Sequence, residues 1–114
     1  MKGCSPTITR ADELRYLAFQ DIGCICCVLE RHPLTPAEVH HITQDDNQQT
    51  LPLCPWHHQG KIPSGLSGSQ ATAFYGPSLA ISRRSFEMHY GTEEMLLAEV
   101  NRRVDLIIKR QSLA

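Results

Sequence analysis

The spacing of apolar and polar positions divides this chain into short segments of different period. Leu14, Leu17, Ala18 and Ile22 recur at helical intervals. Thr9 and Asp12 stand three apart, as in a capping box, and Gly23 suits a C-terminal cap, so a helix is expected from Arg10 to Ile22. Cys24-Ile-Cys26-Cys27 then opens a tight knuckle, and Pro33 and Pro36 bound a loop. Ala37 to Ile42 and Leu51 to Leu53 read as short strands joined by the polar stretch Thr43 to Thr50. Pro55 fits the first turn of a helix, where its missing N–H costs nothing, and that helix carries Trp56, His57 and His58. Residues 60–80 are rich in glycine, proline and serine and read as loop, with a helical turn from Gln70 to Tyr75. Ser82 to Tyr90 is a helix ended by Gly91. Thr92 caps a last helix with Leu96, Leu97, Val100, Val104, Ile107 and Ile108 on one stripe. The expected class is α+β, with residues 1–8 a flexible N-terminus and residues 9–114 a single domain.

Composition narrows the picture. A chain of 114 residues with 41% hydrophobic and 6% aromatic residues builds one modest core, which a metal cross-link would help. No apolar run reaches the ~20 residues of a membrane span, and Met1 to Pro6 lacks the apolar centre of a signal peptide. A cytoplasmic location is therefore expected, with no membrane partner. There, five cysteines point to metal binding or reactivity rather than to disulfides. A formal net charge of -1 excludes a global basic signature for nucleic acid, so any such contact must be local.

Candidate chemistry concentrates between positions 40 and 58. Cys24-x2-Cys27 and Cys54-x2-His57 are two ligand pairs whose two-residue gap lets both members face one ion, and three thiolates with one imidazole suit a structural zinc. Buried thiols packing as small apolar groups are the alternative. Cys26 competes for a place but lacks the favoured gap, and Cys4 is given no role. Beside this set, His40, His41 and His58 offer an imidazole pair for a divalent ion and a further imidazole as base, the equipment of metal-assisted phosphodiester hydrolysis. An ideal strand turns His40 and His41 to opposite faces, so a shared cavity requires the strand to end or twist there.

The order Cys-x2-Cys, His-His, Leu-Cys-x2-His-His resembles the HNH endonucleases, whose ββα-metal core is a hairpin and a helix around one ion. The segments Gly23 to Cys27, Ala37 to Ile42, Leu51 to His58 and Phe86 to Glu93 are similar to the Ref-type recombination-enhancement, RecA-dependent nucleases of phages, over about Lys2 to Val104. The resemblance implies a zinc-stabilised HNH fold with His40 as a catalytic-ion ligand, His41 as general base and His58 at the middle position of the motif. It also implies Mg2+, Mn2+ or Zn2+ at the active site, DNA as substrate and a RecA-type recombinase filament as partner. Where relatives often place a last histidine ligand in an Ala-Ile-His run, this chain reads Ser78-Leu-Ala-Ile-Ser82. His89 is the expected replacement ligand, and Glu87 the substitute. Some relatives carry a long basic N-terminal arm. Here only Lys2 and Arg10 precede or open the first helix, and Arg83, Arg84, Arg102, Arg103, Lys109 and Arg110 are the candidate phosphate contacts, or else solvated helix faces.

The leading expectation is a metal-dependent HNH DNA endonuclease. The alternative is a non-catalytic zinc-stabilised module binding DNA or a recombinase. A third reading is a structural zinc protein acting through its C-terminal helix stripe.

Overall fold

The computed structural model describes residues 7–112. Cys4 and the first six positions of the expected flexible N-terminus lie outside the described residues. The elements are α1 (Arg10–Ile22), α2 (Ile25–Leu29), β1 (Glu38–His41), β2 (Thr50–Leu53), α3 (Pro55–Gln59), α4 (Gly68–Tyr75), α5 (Arg83–Tyr90) and α6 (Glu93–Ser112). The architecture is α+β: one antiparallel hairpin of two strands among helices. No helix among the described residues is long and apolar enough to cross a membrane.

Helix α1 has the expected limits because both ends are capped locally. The Thr9 hydroxyl accepts from Asp12 N, the Asp12 carboxylate accepts from Thr9 N, and Gly23 N closes the last turn on Phe19 O. Its inward face differs from the apolar reading, since Leu17 is exposed while Asp12 and Arg15 are buried beside Ala18, Phe19 and Ile22. The reason is tertiary. Arg15 donates to Thr50 Oγ1 at 2.9 Å, to Thr50 O at 2.5 Å and to Asn101 Oδ1 at 2.7 Å, joining α1 to β2 and α6. A buried guanidinium is tolerable only when its donors are satisfied in this way.

In the hairpin, Glu38 faces Leu53, Val39 faces Pro52, His40 faces Leu51 and His41 faces Thr50. All of β2 is buried, whereas β1 is half-buried along its length. The core joins Ile25, Leu51, Leu53, Trp56, Phe86, Leu96, Val100 and Val104. Leu97, Ile107 and Ile108 of the expected stripe pack at its margin. Thr92 Oγ1 accepts from Met95 N and so caps α6.

Candidate metal centre and histidine face

Two helix starts build the buried cluster. Cys24 is the N-cap of α2 and Cys27 lies one turn on; Cys54 is the N-cap of α3 and His57 lies one turn on. In both, a three-residue step along a first helical turn points two ligands the same way. The turn into α2 needs Gly23, whose φ is +70°: a Cβ there would lie 2.8 Å from Thr35 O, while Cys24 N donates to that same carbonyl. The α3 start is tightened by His57 N, which donates to Cys54 Sγ at 3.5 Å.

The four donor atoms lie within 4.8 Å of one another, and all four residues are buried. His57 Nδ1 is 3.2 Å from Cys54 Sγ, 3.4 Å from Cys24 Sγ and 3.7 Å from Cys27 Sγ, and the Cys27 and Cys54 sulfurs are 4.0 Å apart. A tetrahedral zinc with Zn–S near 2.3 Å and Zn–N near 2.0 Å separates its ligand atoms by about 3.5–3.8 Å, so the cluster has the dimensions of a closed site and could hold a zinc ion. The far nitrogen of His57 supports this. Its Nε2 donates to Tyr75 O at 2.8 Å, beside the Tyr90 hydroxyl at 3.0 Å, which leaves Nδ1 as the nitrogen that a zinc ion among the thiols would take.

Electrostatics favour an ion as well. Hydrogen bonds from Cys24 and Cys27 push the Cys54 thiol far below its usual range, whereas Cys24 is raised by contact with Cys26 and Cys27 by contact with Cys24. Burial opposes a charge on His57, but its bonds to Cys27 and Cys54 raise it to about 9. Three thiols and an imidazole thus crowd charge and protons into one buried space, a crowding that a divalent cation would relieve. Cys26 is fully buried and is not one of the four.

The second constellation is half-buried and joins β1, α3 and the start of α6. His40 and His58 stack edge to face with ring centroids 5.1 Å apart. His40 Nε2 donates to Glu93 Oε2 at 2.5 Å, and Arg83 holds the other oxygen of Glu93 at 2.7 Å. Burial works against a charge on Glu93, but the bonds from His40 and Arg83 hold it below the usual carboxylate range. His58 Nδ1 donates to Glu38 Oε1 at 2.9 Å, an oxygen that also accepts from Gln59. Carboxylates only accept, so the bonded nitrogens carry protons, and in the neutral rings His40 Nδ1 and His58 Nε2 are the atoms with a lone pair to offer an ion.

A family model described as recombination enhancement, RecA-dependent nuclease matches residues 6–105. The chain belongs to this family. No curated protein and no solved structure matches it closely enough to add to that finding.

Within this RecA-dependent nuclease family member, the expected site residues divide. Cys24, Cys27, Cys54 and His57 come together. His40 and His58 also meet, but His41 has partners of its own: its Nε2 donates to Asn47 Oδ1 at 3.0 Å in the loop between the strands. His89, expected beside His40, pairs instead with Glu30, and Glu87 lies near Arg83 at 3.5 Å. The carboxylate at His40 is Glu93. No second group of three or more ligand atoms gathers among the described residues as the buried four do. Glu93, Glu38 and Asn47 are not among the residues that motif spacing singles out. The Glu93 position lay at the end of the family-like segment Phe86 to Glu93, which was the one signal pointing to it.

Proposed function

We propose that this chain is a metal-dependent DNA endonuclease of the HNH class, hydrolysing phosphodiester bonds on DNA handled by a RecA-type recombinase. The observation that carries the reading is the His40–His58 pair, two adjacent imidazoles on a hairpin and its following helix, each anchored by a carboxylate. Histidines that ligate metals are commonly held this way, the carboxylate fixing the ring and raising its basicity. The family match supplies the nuclease and recombination context.

In this reading, zinc in the Cys24, Cys27, Cys54 and His57 cluster fixes α3 against the α2 knuckle and keeps the hairpin in register with the helix that bears His58. His40 and His58 would hold a divalent ion (Mg2+, Mn2+ or Zn2+), with Glu93 orienting the His40 ring and His89, the expected ligand, taking no part. When bound, that ion supplies Lewis-acid stabilisation of the scissile phosphate and leaving oxygen. His41 is the general base that takes a proton from the attacking water. Of the basic residues considered for phosphate contact, Arg83 is engaged by Glu87 and Glu93, and Arg102 and Arg103 by Glu99, so Arg84, Lys109 and Arg110 are the better candidates.

The test is nicking of DNA under metal-replete conditions, with and without a recombinase filament, by wild type, His40→Ala and His41→Ala. Cleavage by wild type that both substitutions strongly reduce is expected. The second reading, a non-catalytic DNA- or recombinase-binding module, draws on the two-imidazole set at His40, which is smaller than the closed four-donor cluster. DNA binding without cleavage by wild type in every condition would select it.

A further inference from the structure

A buried polar chain leads from α1 to His41. Asp12 and Asn47 are both buried, at 5% and 8% exposure. Asn47 Nδ2 donates to Asp12 Oδ2 at 3.2 Å, and Asn47 Oδ1 accepts from His41 Nε2 at 3.0 Å. The second Asp12 oxygen accepts from Gln48 Nε2 at 2.6 Å, and Thr9 N also donates to Oδ2. The order of donors and acceptors in this chain is forced. An ionised carboxylate has no proton to give, so the Asn47 amide must turn its NH2 to Asp12 and its oxygen to His41. An amide oxygen cannot donate, so the facing ring nitrogen must carry a proton.

We infer that Asp12, acting through the Asn47 amide, is a positioning residue that sets the ring and tautomer of His41, with the proton on Nε2 and the lone pair on Nδ1. Asp12 stays ionised because hydrogen bonds from Gln48 and Thr9 hold it at about 2, so the chain keeps its direction across the neutral range. Neutral imidazoles in water exchange between tautomers; here one is selected and one ring orientation is held. The consequence for catalysis rests on the proposed role of His41 as base, and names Nδ1 as the atom that takes the proton from water. The tautomer itself does not depend on that role. The chain also explains why Asp12 is buried on an N-terminal helix turn, where a capping carboxylate is ordinarily solvated.

The experiment is NMR of the full zinc-loaded chain with 15N-labelled histidine, at about pH 8.5 where ordinary imidazoles are neutral. His41 is expected as a single Nε2–H tautomer with a slowly exchanging, hydrogen-bonded ring proton. Asn47→Ala should lose that proton signal to solvent exchange, and Asn47→Asp should lose it too, since two carboxylates would then face each other. The double exchange of Asp12→Asn with Asn47→Asp reverses the donor between positions 12 and 47 but again pairs one amide with one carboxylate and leaves an acceptor facing His41 Nε2, so it should restore the signal. Gln48→Ala, which removes only the outer contact to Asp12, should leave it in place. Zinc content and amide spectra confirm that each variant is folded. In DNA cleavage, Asn47→Ala should lower kcat by about 10–100-fold with KM little changed, and the double exchange should recover most of the rate. A proton on Nδ1 in wild type, a signal that survives Asn47→Ala, or no restoration by the double exchange would each overturn the inference. A wild type that cleaves no DNA but shows the expected tautomer and its restoration leaves the positioning role standing and removes the nuclease reading instead.

Discussion

The two histidine-bearing regions of this chain share one short helix and differ in almost every physical respect. At the cluster, His57 and its three cysteines are buried and turned toward one another, and the outer nitrogen of the ring is used up by Tyr75 O. One residue further on, His58 is half-buried, held by a carboxylate on the adjacent strand, and faces a second imidazole across 5.1 Å. Helix geometry turns successive side chains by about 100°, so His57 and His58 cannot serve the same centre. The difference teaches that a closed set of four donors has no room for substrate and can only stabilise. An imidazole pair with lone pairs left over can hold an ion that still has open positions.

The comparison breaks most visibly if the cluster is not what holds the fold. Cys54→Ser, or removal of zinc by a chelator, should leave the chain largely unfolded, because the binding free energy of a structural zinc, on the order of 10 kcal/mol, is also folding free energy. An unchanged melting temperature together with unchanged zinc content would remove the cluster from the stability account. On the other side of α3, His41→Ala should cut the cleavage rate by roughly 10²–10⁴-fold for a lost general base, with folding and DNA affinity retained. His40→Ala should lower the rate and the occupancy of the second ion together. A metal-to-protein ratio that stays at one for wild type under saturating Mn2+ would count against an ion at His40 and His58.

A finer distinction concerns the carboxylates that orient the imidazoles. Glu93→Gln keeps the size of the side chain but weakens its hold on His40 and Arg83, so affinity for the second ion should fall by about 10–100-fold while zinc content is unchanged. Isothermal titration with Mn2+ reads this directly, and equal affinities would assign Glu93 to packing alone. The smallest effect belongs to Tyr90→Phe. It removes a hydroxyl 3.0 Å from His57 Nε2 and 2.8 Å from Tyr75 O, but the Tyr75 carbonyl remains as partner for the ring, so a loss of about 1 kcal/mol is expected in denaturant unfolding. Gly76→Ala should cost more than Tyr90→Phe, since a Cβ at Gly76 would meet the Tyr90 hydroxyl at 2.2 Å where φ is +90°. The reverse order would show that this hydroxyl is not tightly enclosed.

What the sequence determined alone is the part of the molecule governed by near neighbours. The limits of α1 follow from Thr9, Asp12 and Gly23, which act over three or four residues. The buried four-donor set follows from two short ligand steps, because one helical turn converts a two-residue gap into a shared direction. The hairpin and the stripe of α6 were legible for the same reason, as their periods are written locally. The tertiary structure decided the rest. Arg15 reads as a surface charge until Thr50 and Asn101, 35 and 86 positions away, accept its protons. His40 takes Glu93 over His89 because α6 begins beside β1, 53 positions along the chain, while His89 on α5 turns to Glu30. Asn47 lies in a polar loop with nothing to mark it, and becomes a partner of His41 only when α1 brings Asp12 beneath it. Local spacing sets which way a side chain points. Which distant group it then meets depends on how the helices pack around the hairpin, and no period along the chain records that.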